Sequence, residues 1–140
     1  MWSYEHTVET SATRDAVWAL YADVPGWPAW DMGLERVEID GPLAAGAAGR
    51  ITPAGQDALP FTITWAEVGY GFADETAVPA HVIRFRHTLE TLAGGGTRIT
   101  HRVEIDGPAG AEFGPGIVGD MPQAMAALAA RAESAEEVAP

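Results

Sequence analysis

Over the first ten residues, Tyr4, His6, Val8 and Thr10 fall on one parity and Ser3, Glu5, Thr7 and Glu9 on the other. A period of two predicts a strand with one buried face. Ser11-Ala12-Thr13 ends the alternation. Thr13 is placed as an N-cap with Asp15 in the following turn, and Val17, Leu20, Tyr21 and Val24 recur at helical spacing, so a helix is predicted to Ala22. A rigid joint follows, Asp23-Val24-Pro25-Gly26-Trp27-Pro28-Ala29-Trp30-Asp31. Its prolines fix backbone angles and its indoles demand packing, which predicts a second short helix or turn.

From Glu35 the period returns to two. Strands are predicted near 35–40, 48–53, 61–68, 71–78, 81–92 and 97–106, separated by Asp40-Gly41-Pro42, Pro53-Ala54-Gly55, Gly69-Tyr70-Gly71 and Gly94-Gly95-Gly96. With the first strand this makes seven, arranged as an antiparallel meander. Arg36 to Pro42 recurs unchanged at Arg102 to Pro108. Nothing around the two copies is similar, so they read as two strands ending in the same Asp-Gly-Pro turn. Ile117, Met121, Met125, Leu128 and Ala132 form an i, i+4 stripe, which predicts a helix over 115–133 with its apolar side on the sheet. Pro122 should start that helix or kink it. The acidic tail from about residue 134 is expected to fray.

This order of elements resembles the START-like (SRPBCC) superfamily, and within it the polyketide cyclase/dehydrase and lipid-transport family. The resemblance rests on Ala16-Val17-Trp18-Ala19-Leu20, Trp27-Pro28-Ala29-Trp30-Asp31, Gly95-Gly96-Thr97-Arg98-Ile99-Thr100 and Asp120-Met121-Pro122-Gln123-Ala124, in that order. It implies an α+β helix-grip fold, one domain over 1–140. The seven-stranded antiparallel sheet wraps a long C-terminal helix, with two short helices after the first strand. It also implies that the first strand pairs with the last, and that sheet and helix enclose a cavity for a small hydrophobic molecule: polyketide-like, aromatic or lipid. The family shares that cavity rather than one reaction, so no catalytic residue is carried over.

The net charge of −12 narrows the partners. Such a surface repels phosphate backbones and anionic headgroups, so no nucleic acid is expected. No apolar run approaches the ~20 residues of a membrane span, and the N-terminus lacks signal-peptide regions, so membrane insertion is not expected and a cytoplasmic location is. All eight basic residues are arginine, which excludes Schiff-base lysine chemistry, and the absence of cysteine excludes disulfides and cysteine–zinc sites. No phosphate loop, G-x-S-x-G elbow or H-E-x-x-H is present; no cofactor or metal is expected. A homodimer stays open.

Strand parity locates the candidate chemistry. In 81–92, Ile83, Phe85, His87 and Leu89 share one face and Arg84, Arg86, Thr88 and Glu90 the other. In 97–106, Ile99, His101, Val103 and Ile105 oppose Arg98, Thr100, Arg102 and Glu104. The apolar faces must turn inward, carrying His87 and His101. A five-residue loop, Leu92 to Gly96, would set the two directly opposite each other; a three-residue loop would make them diagonal. His6 is a third inward histidine once the first strand pairs with the last. An inward histidine reads first as a satisfied core residue, then as a ligand-orienting group, then as an acid–base catalyst, and last as a metal ligand. Burial would hold these imidazoles neutral and able to accept a proton.

His87 and His101 are therefore the candidate catalytic pair. The candidate ligand wall is His6, Trp30, Ile63, Trp65, Phe85, Met121 and Met125. Trp65 enters through the shared parity of Phe61, Ile63, Trp65 and Glu67, which would also put Glu67 at the rim. Trp27 and Trp30 read first as scaffold, with one indole as a pocket cap. Arg84, Arg86, Arg98 and Arg102 read as cross-strand charge pairs on the solvated face. Three functions stay open: a cyclase or dehydratase in which the histidines move protons on a poly-carbonyl substrate, a carrier or sensor without turnover, and an interaction module.

Overall fold

The computed structural model describes residues 1–138. β1 (Trp2–Thr10) leads into α1 (Arg14–Ala22), then a 3-10 helix (Val24–Ala29). Six strands follow: β2 (Leu34–Ile39), β3 (Ala48–Pro53), β4 (Leu59–Glu67), β5 (Gly71–Val78), β6 (His81–Thr91) and β7 (Thr97–Asp106). Two helices close the chain, α2 (Gly110–Val118) and α3 (Met121–Val138). The seven strands form one antiparallel sheet in the order β1-β7-β6-β5-β4-β3-β2, so the first strand does lie beside the last.

Local chemistry sets the boundaries. The Thr13 hydroxyl accepts from the Ala16 N–H at 3.2 Å and caps α1. The 3-10 segment holds Pro25 and Pro28 and is anchored by Trp27, whose Nε1–H donates to the Tyr21 carbonyl at 2.9 Å while its ring stacks on Phe72. The two copies of the repeated heptapeptide end β2 and β7, each followed by a glycine with positive φ, Gly41 at 86° and Gly107 at 138°.

Two expectations change. The single helix over 115–133 is a pair broken at Gly119-Asp120. Pro122 has no N–H to give the Val118 carbonyl, so the helical ladder cannot run through. The acidic tail does not fray where expected: α3 continues to Val138, with Glu133 accepting from the Thr10 hydroxyl at 2.6 Å and Glu136 from the Thr13 N–H at 2.7 Å. Residues 139–140 lie outside the described residues.

α3 crosses β1 and packs on α1. Its stripe is as expected: Met125, Leu128 and Ala132 are fully buried, with Met121 and Ile117 half-buried. The core falls into two clusters. The larger joins Val17, Tyr21, Trp27, Trp30, Phe61, Ile63, Phe72, Leu89, Ile99, Met125 and Leu128. The smaller joins Ile83, Val103, Ile105 and Val118, with Trp2, Tyr4, Phe85, Phe113 and Ile117 packed against it. Met121 touches both.

Candidate functional site

The boundary between the two clusters is polar. On β7, Ile99 belongs to one cluster and Val103 to the other; His101 lies between. On β6, His87 separates Leu89 from Phe85 and Ile83, and on β1, His6 separates Val8 from Tyr4. The register pairs His6 with His101 and His101 with His87, so the three imidazoles form one row across three strands. The β6–β7 loop sets this alignment. Thr91 pairs with Thr97, leaving the five residues Leu92 to Gly96, and the histidines stand directly opposite. On β5, inward Phe72 pairs with His87 and inward Asp74 with Phe85, so Asp74 extends the row diagonally. A polar seam therefore crosses four strands of an otherwise apolar concave face.

The seam is buried and closely packed. His87 is 8%, His101 6% and Asp74 7% exposed, while His6 is half-buried. The His87 ring stacks on Phe72 at 4.0 Å between centroids and meets the His101 ring edge-on at 4.5 Å. His87 Nδ1 lies 3.3 Å from the Phe72 carbonyl. A carbonyl only accepts, so Nδ1 carries the proton and Nε2 keeps its lone pair. His101 Nε2 is 2.7 Å from the Tyr21 hydroxyl.

Burial shifts His87, His101, Tyr21 and Asp74 toward their neutral forms. It lowers His87 to about 4, against a weaker upward pull from the Phe72 carbonyl. It lowers His101 well below the usual imidazole value, with His87 and His6 adding repulsion. It pushes the Tyr21 phenol up, and it raises Asp74 to about 8 with help from neighbouring Glu75. At neutral pH His87 and His101 are thus uncharged imidazoles and Asp74 an uncharged carboxyl that can donate. One further donor is spare: buried Trp30 Nε1–H has no hydrogen-bond partner among the described residues.

The other candidates divide. Ile63 is fully buried opposite Asp74, Phe85 is half-buried in the smaller cluster, Met121 bridges the clusters and Met125 is fully buried in the larger. Trp65 is not on this face. The register of β4 against β5 slips between Ile63 and Trp65, and this bulge turns Trp65 to the outer face, where the Arg86 guanidinium lies 4.3 Å from its ring centroid. Ala66 takes the inward place opposite Phe72, and Glu67 is exposed on the Trp65 side. Three of the four outer-face arginines pair across strands as expected, Arg84 with Glu75 and Asp106, Arg98 with Glu9, and Arg102 with Glu5 at 3.8 Å, besides Glu104 on its own strand; Arg86 instead covers Trp65.

Two site residues escaped the sequence reading. Asp74 shares the parity of Phe72 and Thr76 in a strand already delimited, so alternation alone could have found it. Tyr21 was legible as buried, but not that its hydroxyl meets His101. Two depressions, of about 400 Å3 around Pro60, Phe61, Thr62, Glu75, Ala77 and Val82 and of about 190 Å3 around Met1, Trp2, Gly107 and Pro108, contain none of the seam's side chains. Among the described residues no three His, Cys, Asp or Glu groups converge as a metal site, and no helix is long and apolar enough to cross a membrane.

Solved structures with this fold include Ara h 8.0201, at 15% identity and TM-score 0.74 over 95% of this chain and 98% of that one. A Thalictrum flavum norcoclaurine synthase mutant, in complex with a transition-state analogue, matches at 13% identity and TM-score 0.75 over 96% of each chain. The di-domain ARO/CYC BexL from the BE-7585A biosynthetic pathway matches at 16% identity and TM-score 0.75, over 95% of this chain and 47% of its own. Similarity at this level shows the fold alone. A search of the curated proteins finds no match. The sequence pattern named "Polyketide cyclase / dehydrase and lipid transport" matches residues 1–133. With nearly the whole chain matched, the protein belongs to the polyketide cyclase/dehydrase and lipid-transport family.

Proposed function

We propose that the concave face binds a small, mainly apolar molecule that lies across the seam, with His87 and His101 orienting it. Ile63, Phe85, Met121, Met125 and Trp30 supply the wall, and His6 closes one end of the row. The observation that carries this reading is the seam itself. Buried polar side chains cost free energy unless they are paired, and apolar residues at these positions would merge the two clusters into one core. Met121 and Phe85, both half-buried beside the seam, are the side chains that would yield to an incoming ligand, and a flexible thioether suits that role.

Turnover is a second reading, a cyclase or dehydratase acting on a carbonyl-bearing chain. The free lone pair on His87 Nε2 favours it. Against it, a base lowered to about 4 lies some three units below neutral pH, and a general base works best near the working pH. Binding is therefore the better-supported function. Native mass spectrometry of the purified protein should show a bound molecule of a few hundred daltons, retained in Trp65→Ala and lost in a His87→Phe/His101→Phe double variant. A ligand-free spectrum, together with no uptake of naphthalene-sized aromatics, would refute this reading.

A further inference from the structure

We propose that Asp74 is a ligand-binding residue whose carboxyl O–H donates a hydrogen bond to a ligand carbonyl oxygen, so that the concave face selects neutral carbonyl compounds over anions and amines. This rests on the binding reading above and specifies its ligand class.

Three observations point there. Asp74 faces inward on β5 between Ile63 of β4 and Phe85 of β6, and its side chain makes no hydrogen bond or ion pair among the described residues, its carboxyl oxygens keeping only a little contact with solvent. It sits one diagonal step from His87, about 7–8 Å between backbones, so one aromatic ring can reach both. Among the described residues no arginine shares this face: Arg84, Arg86, Arg98 and Arg102 are on the outer parity, Arg14 bonds Thr91 and the Gly69 carbonyl, and Arg36, Arg50 and Arg131 are exposed.

A bound anion would therefore find no countercharge. The titratable neighbours are Glu75, next in the chain and turned outward, and His87 and His101 along the seam. The inward residues of β4 (Phe61, Ile63, Ala66) and the buried residues that α2 and α3 turn to the sheet (Val118, Met125) are uncharged. Burial and Glu75 raise the Asp74 carboxyl to about 8, so near neutrality it keeps its proton and can donate. No side chain of the fold bonds this nearly buried carboxyl, so its O–H is free to donate to a ligand carbonyl.

The test uses 2-acetylnaphthalene, its near-isostere 2-ethylnaphthalene and 2-(2-naphthyl)ethylamine, with binding measured by equilibrium dialysis at pH 6.0 and 9.5. Circular dichroism checks that Asp74→Asn and Asp74→Leu are folded. In the wild type the ketone should bind about tenfold more weakly at pH 9.5, while the hydrocarbon is unchanged. Asp74→Asn, which keeps a donor, should abolish that pH dependence. Asp74→Leu should lose about tenfold for the ketone and nothing for the hydrocarbon. If ketone and hydrocarbon bind but neither responds to Asp74→Leu, the proposal fails and the binding reading stands. If the amine binds most tightly and Asp74→Asn abolishes it, Asp74 acts as an anion and the proposal fails. If the wild type binds neither neutral probe, both readings fall.

Discussion

Replacing His87 with phenylalanine should make the protein less sensitive to acid. In the folded chain His87 is lowered to about 4, whereas the same imidazole in the unfolded chain titrates near its ordinary 6.5. Between those values the unfolded state binds more protons, so unfolding becomes easier as pH falls. The stabilisation is complete above about pH 6.5 and is lost progressively toward pH 4. A gap of about 2.5 units corresponds to roughly 3 kcal/mol in total, of which about 2 kcal/mol is lost by pH 5. Phenylalanine keeps a ring to stack on Phe72 and cannot take the proton. Urea unfolding followed by tryptophan fluorescence at pH 7.5, 6.0 and 5.0 gives the difference between variant and wild type. That difference should move in favour of His87→Phe by about 2 kcal/mol over this range. Asp74 is present in both proteins and its opposite trend cancels. A pH-independent difference would mean that the His87 ring is solvated, and the seam as described would be wrong.

Three further outcomes follow from the same geometry. Burial raises the Asp74 carboxyl to about 8, so its contribution to stability is complete below about pH 3.8 and is lost as pH rises through 8; Asp74→Asn should be on the order of 2–4 kcal/mol more stable than wild type at pH 8, with the gap closing toward pH 4 in denaturant titrations. Tyr21→Phe removes the only hydroxyl bonded to His101 among the described residues and should cost about 1–3 kcal/mol in the same assay; a change near zero would mean that the bond adds nothing. Trp27→Ala deletes a buried ring and its hydrogen bond to the Tyr21 carbonyl and should cost about 3–5 kcal/mol, so a loss below ~1 kcal/mol would remove Trp27 from the scaffold.

An acid form that favours Asp74 and an acid-labile His87 pull in opposite directions. Each is stable only in its neutral state, and the two neutral states coexist only between about pH 4 and pH 8. Groups whose environments drive their affinities for protons apart are the usual basis for dividing donor and acceptor roles. Here the separation comes mainly from burial, with the charge of Glu75 adding to it at Asp74, and needs no countercharge.

Much of this was written in the alternation of side chains. A period of two is a local property, so the strands and the inward aim of His87 and His101 could be read from the residues, and the five-residue loop then fixed their register. The same logic would have placed Asp74, had the polar member of the β5 parity been weighed with the apolar ones. Trp65 shows where local reasoning stops. One bulge in β4 reverses every side chain beyond it, and a bulge depends on how two strands pair, not on either strand alone. The break before α3 was half legible, since Pro122 announced an interruption but not that α2 would stand as a separate helix. What tertiary structure alone decided is that a helix carrying Tyr21 brings its hydroxyl to His101, eighty residues away, and that histidines from three strands and an aspartate from a fourth form one seam. Those contacts join distant segments, and only the closed sheet with its helices packed on it brings them within bonding distance.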